Sequence, residues 1–137
     1  MKIILLIMIG ISLLNADFTK IGNIVKDNHT KLEWQDDTLV VSMQWEEAIT
    51  YCETLTLDGY TDWRLPNINE LKSIVDKSRI NPAIAIDFKN TDPFMYWSST
   101  SYVDDKSYSL TVYFKNGYLL RDTKEGYNGI KCVRDAQ

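Results

Sequence analysis

Trp63-Arg64-Leu65-Pro66-Asn67-Ile68-Asn69-Glu70-Leu71 changes from extended to helical chain within a few residues. A residue before proline is pushed out of the helical region, so Leu65 is extended. Asn67 followed three residues later by Glu70 has the pattern of a capping box, in which Asn67 caps and Glu70 reaches back. Ile68, Leu71, Ile74 and Val75 then give this helix its buried side. A capped helix set in the middle of the chain leaves room for other elements on both sides.

Upstream, another helix is expected from about Ser42, a suitable N-cap. Trp45, Ala48, Ile49, Cys52 and Leu55 recur at helical spacing, so Cys52 points into the core, and Gly59 with Thr61-Asp62 closes the unit. Before it, residues 21–26 and 31–35 read as two short strands. Asp27-Asn28-His29-Thr30 joins them as a turn, because Asp and Asn tolerate left-handed backbone. Downstream, residues 76–93 hold Pro82, Pro93 and several Asn with no sustained period, a long loop of the kind that is often functional. Met95–Thr100 opens a β-rich half. Tyr108, Leu110, Val112 and Phe114 alternate with Ser109, Thr111 and Tyr113 as a half-buried strand. Asn116-Gly117 signals a hairpin back through Tyr118-Leu119-Leu120, and a last strand is expected over 129–134. The fold class is α+β.

The chain opens Met1-Lys2, is apolar from Ile3 to Leu14 and ends that run at Asn15-Ala16. A basic start, a short apolar run and a small exit residue describe a cleavable signal peptide over residues 1–16, cut after Ala16. The run falls short of the roughly 20 apolar residues that span a bilayer. Residues 17–137 then form one domain, periplasmic or secreted, that does not insert in a membrane. Only Lys2 is charged in the leader, so its removal takes the net charge from −4 to −5. An acidic domain of this kind is not expected to bind nucleic acid.

Two cysteines, Cys52 and Cys132, remain. In an oxidising compartment an even pair reads as a disulfide, here closing a loop of roughly 80 residues for about 4.5 kcal/mol in the chain-entropy model. A redox pair would keep its cysteines close, and a zinc site would need more than the single histidine, His29. No metal and no cofactor are expected.

Several short motifs, in order, resemble one family. They are Trp63-Arg64-Leu65-Pro66-Asn67 with Glu70-Leu71, Tyr96-Trp97-Ser98-Ser99-Thr100, Phe114-Lys115-Asn116-Gly117 and Lys131-Cys132-Val133-Arg134. Val25-Lys26-Asp27-Asn28, Thr30-Lys31-Leu32 and Trp34-Gln35 are similar to its opening hairpin. The family is DUF1566, also called the Lcl C-terminal domain family. The resemblance implies a C-type-lectin-like fold in which a helix cysteine pairs with one on the terminal strand. It also implies binding, since the eponymous protein is an adhesin for sulfated glycosaminoglycans. That protein carries a collagen-like stalk, whereas this chain has no Gly-X-Y repeat, and its acidic balance does not suit a sulfated polyanion.

Among candidate chemistries, Trp34, Trp63 and Trp97 read as core anchors with satisfied indole N–H groups rather than sugar platforms. Arg64 reads as a brace pairing with Asp62 or Glu70. Asp76, Asp87, Asn90 and Asp92 could offer oxygens to calcium, but the Glu-Pro-Asn, Gln-Pro-Asp and Trp-Asn-Asp motifs of calcium-dependent lectins are missing. Ser98-Ser99-Thr100-Ser101 has no base nearby in sequence, so no catalytic residue is assigned and no enzyme is expected. Asn28-His29-Thr30 fits a glycosylation pattern that turn chemistry already explains. The expectation is a ligand-binding module for glycan or protein, with Asn90, Asp92, Ser99, Tyr102 and Asp104 as binding residues. The alternative is a periplasmic assembly partner that docks another protein through an exposed sheet face.

Overall fold

The computed structural model describes residues 17–136, and the expected leader lies outside them. In chain order the elements are β1 (Phe18–Ile21), β2 (Ile24–Asp27), β3 (Leu32–Gln35), β4 (Ser42–Met43) and α1 (Trp45–Thr54). After these come α2 (Ile68–Ser73), β5 (Met95–Ser101), β6 (Tyr108–Tyr113), β7 (Tyr118–Thr123), β8 (Asn128–Gly129) and β9 (Val133–Asp135). They build an α+β domain with two sheets, in the orders β1-β2-β3-β9 and β4-β8-β5-β6-β7. All pairings are antiparallel except β5 with β8.

The expected opening strand over 21–26 is two strands. Gly22 takes φ +59°, a left-handed conformation that favours glycine, and the chain turns there. Asp58 holds the turn by accepting from the Asn23 backbone and side-chain amides, both at 2.9 Å. Helix α1 starts later than expected. Ser42 pairs with Gly129 as a strand, and Gln44 stands at the N-cap without a side-chain bond. The expected last strand over 129–134 is also two pieces. Ile130, Lys131 and Cys132 carry the chain from the second sheet to the first, where Val133 pairs with Trp34.

Two apolar clusters fill the interior. Val25, Trp34, Leu71, Ile74, Phe88, Tyr96, Val112, Phe114 and Val133 belong to the first. Ala48, Cys52, Trp63, Leu65, Trp97, Ile130 and Cys132 belong to the second. Cys52 on α1 and Cys132 in the crossover are joined as a disulfide within the second cluster. Trp63 and Trp97 donate their indole N–H groups to the carbonyls of Tyr60 (3.0 Å) and Met43 (2.8 Å). The buried indole N–H of Trp34 has no protein partner, against expectation.

The α2 capping box forms as read. Asn67 accepts from the Glu70 backbone at 2.8 Å, and Glu70 accepts from the Asn67 backbone at 2.9 Å. Arg64 grips the same Glu70 through two bonds, 2.6 and 2.8 Å, and reaches Asp135 at 2.9 Å. Asp62 pairs instead with Arg134 at 2.7 Å. Residues 76–93 contain no helix or strand, but they are more than a surface loop. Ala83, Ile84, Ala85 and Phe88 are buried, and Ala83 donates to the Phe114 carbonyl at 2.6 Å.

The strand over 108–114 also departs from simple alternation. Ser109 and Thr111 are fully buried while Tyr108 is exposed. The register of β5 against β6 shifts between Trp97 and Ser101. This irregularity lets the Ser109 hydroxyl reach the Ser98 and Thr100 carbonyls at 3.0 and 2.9 Å, which satisfies it inside the fold.

Candidate functional site

The end of the 76–93 segment is fastened to the core by one carboxylate. Asp36 accepts from the backbone N–H groups of Lys89 (2.8 Å) and Asn90 (3.0 Å). The Lys20 ammonium lies 2.6 Å from the same carboxylate and the Lys131 ammonium 3.4 Å. The Asn90 side-chain amide donates to the Asp36 carbonyl at 2.8 Å. Asn90 is therefore a fastener of this segment. Burial pushes the Lys131 amine down to about 8, against the opposing pull of Asp36.

Beyond the fastener, the Asp92 backbone N–H donates to the Tyr96 hydroxyl at 3.0 Å. That hydroxyl is pushed up to about 12 by burial. Phe94 donates to the Asp92 carbonyl at 2.8 Å and accepts from Phe114 at 2.9 Å. Across from this rim lies β8. A side chain at Gly129 would meet the Tyr96 ring at 2.9 Å, so only glycine lets β8 lie against that ring. Asn128 is tied to Asp122 at 2.9 Å. Between the rim and the short strands is a hollow of about 330 Å³, walled by Val40, Val41, Asp92, Phe94, Met95 and Tyr127 among others. Phe94 is 57% and Tyr127 67% exposed. Two open aromatic rings beside an exposed carboxylate, on backbone held from both sides, can stack on a flat apolar face and accept hydrogen bonds from hydroxyls.

A family model for the Lcl C-terminal domain matches residues 23–134. This chain belongs to the Lcl C-terminal domain family. No curated protein matches it. In this family member the hollow joins the end of the long segment, inside the matched region, to the Tyr127–Gly129 stretch near its close.

The five residues expected to bind do not converge. Asp92 lines the hollow. Asn90 is spent on Asp36. Ser99 is exposed beside α2, its backbone N–H donating to the Pro66 carbonyl at 2.8 Å. Tyr102 lies under the Arg121 guanidinium, 4.4 Å from ring centre to charge, beside β7 and outside the hollow. Asp104 is exposed in the turn before β6. Among the described residues no three His, Cys, Asp or Glu side chains are placed to hold a metal ion. His29 is bonded to Asp17 at 2.6 Å in its exposed turn.

Phe94 and Tyr127 were not among the expected site residues. Each carried a signal: an aromatic residue in a turn-rich stretch, Asp92-Pro93-Phe94 and Gly126-Tyr127-Asn128, outside any buried period.

Proposed function

We propose that this chain is an exported, non-catalytic binding module of C-type-lectin-like fold that holds a glycan in the hollow between Asp92, Phe94 and Tyr127. The observation that carries the reading is the pair of exposed aromatic rings flanking an exposed carboxylate on a braced rim. A saccharide offers both an apolar ring face and hydroxyl donors, which matches that combination. The pattern of residues 1–16 and the disulfide support export to an oxidising compartment. The helix-to-terminal-segment bridge supports the lectin-like fold.

A glycan array with the domain lacking residues 1–16 tests the reading. Saturable binding is expected, with Tyr127→Ala and Phe94→Ala each weakening it by more than about 1 kcal/mol. An array without a hit, or binding that survives both changes, overturns it. The second reading, an assembly partner docking another protein through a sheet face, is favoured by one observation. The outermost strand β7 leaves Tyr118, Leu119 and Leu120 exposed.

A further inference from the structure

β7 is the outermost strand of its sheet, six residues long, in unbroken register with β6 from Tyr108↔Thr123 to Tyr113↔Tyr118. Other sheet edges in the molecule are guarded. β4 has two residues, β1 carries Lys20, which is held to Asp36, and the Arg64 backbone covers β9 through two bonds to Val133, 2.8 and 2.9 Å. Among the described residues β7 has no proline, bulge or covering segment, the usual devices that keep an edge from pairing. Its charges are Arg121 and Asp122, and Asp122 is held to Asn128, so the Tyr118–Leu120 end of the edge carries no guard of its own.

The direction of its backbone groups follows from one bond. Lys124 donates to the Ser107 carbonyl at 2.8 Å, one step beyond the Tyr108–Thr123 pair. Bonded and open pairs alternate along an antiparallel ladder, so Leu119, Arg121 and Thr123 turn their backbone groups away from β6. Thr123 agrees: its carbonyl accepts from Gly126 and its N–H donates to Asp122, both at 2.8 Å. Leu119 and Arg121 face the open edge.

Two adjoining hollows open beside that edge, both lined by Leu119 and Leu120. One, about 390 Å³, extends to Lys72, Val75 and Lys77. The other, about 360 Å³, extends to Tyr102, Leu110 and Arg121. Tyr118 is 64%, Leu119 45% and Leu120 39% exposed. Lys72, Lys77 and Arg121 have no carboxylate within ion-pair distance among the described residues, although the chain as a whole is acidic. Arg121 feels Asp105 only at longer range.

We infer that β7 receives an extended acidic segment of a partner protein, which adds as a further strand, bonds the Leu119 and Arg121 backbone, seats apolar side chains in the two hollows and meets the three cations with carboxylates. Main-chain bonding supplies affinity and the flanking pockets supply selectivity in this mode of recognition. A second copy fits less well, because two β7 edges side by side would bring unpaired cations together. The inference rests on the sheet-face reading and is independent of the glycan hollow.

The probe is a synthetic peptide of alternating valine and glutamate, titrated into the domain lacking residues 1–16 by fluorescence anisotropy. It should bind, and a valine–lysine peptide should bind at least about tenfold more weakly. Lys72→Glu/Lys77→Glu, both exposed, should cost about tenfold against the glutamate peptide. Leu119→Pro removes only an outward N–H, so the ladder to β6 stands, and it should abolish binding; circular dichroism and a melt confirm that this variant folds. Several results overturn the inference: no glutamate-peptide binding at millimolar concentration, Leu119→Pro binding as wild type in a folded protein, or self-association of wild type that Leu119→Pro removes. Equal binding of both peptides, lost in Leu119→Pro, overturns the acidic partner while leaving sheet-face docking standing. Tyr127→Ala should leave peptide binding unchanged, which separates this edge from the glycan site.

Discussion

Asp36 has no exposed side-chain surface, yet it holds two lysines and two backbone N–H groups. A buried charge is tolerable only when its partners are all present. Asp36→Ala would leave Lys131, itself 3% exposed, without its counter-ion and would free the 89–90 backbone. A loss of about 3–5 kcal/mol is expected in urea unfolding, the range for breaking a buried pair from one side. Lys131 also predicts a pH dependence. Its folded value of about 8 lies below the ordinary 10.5, so between them the unfolded chain binds more protons. Stability from this group therefore rises as pH climbs through that window and is lost below about 8. Unfolding free energies of wild type and Lys131→Met, compared from pH 8 upward, should diverge in favour of wild type. A constant difference would show that the amine is not depressed.

Helix α2 has six residues, too few to hold itself together, so its ends decide whether it forms. Thr100 accepts from the Ile68 backbone at 3.0 Å, and the Asn67–Glu70 box satisfies two more donors. Burial raises the Glu70 carboxyl, but Arg64 and the Asn67 N–H outweigh it and hold the group below its usual range. Asn67→Ala should cost about 1 kcal/mol by thermal melting. Glu70→Ala should cost more, since it also strips Arg64 of a two-pronged partner, and equal losses would show that this pair contributes nothing. This box was legible because it is written within four residues. The start of α1 was not, because Ser42 is claimed by Gly129 from the far end of the chain. The 76–93 segment showed no period because its buried residues each fill a separate gap, Phe88 against Phe18 and Trp34, for example. The site suffered for the same reason. Asp92 could be picked from its loop, but its pairing with Phe94 and Tyr127 exists only once β8 lies against Tyr96.

At the scale of the molecule, the last residues close both halves at once. Ile130–Cys132 leave the second sheet, β9 zips onto β3, and Cys132 is bonded to α1 across a separation of 80 residues. An even pair of cysteines behind an export-like leader, with Cys52 on the buried face of α1, was enough to anticipate this bridge. The crossover makes its role testable. If the bridge acts chiefly by restricting the unfolded chain, removing it leaves native packing in place and lets the unfolded chain expand. Cys52→Ala/Cys132→Ala should then lose about 2–5 kcal/mol. Its urea slope should also steepen, because the slope follows the surface exposed on unfolding. The double variant avoids a stray thiol, and both side chains lie in the second apolar cluster, where alanine leaves small gaps. A comparable loss with an unchanged slope would place the effect in the folded state instead, in the packing of α1 against Trp63, Leu65 and Trp97.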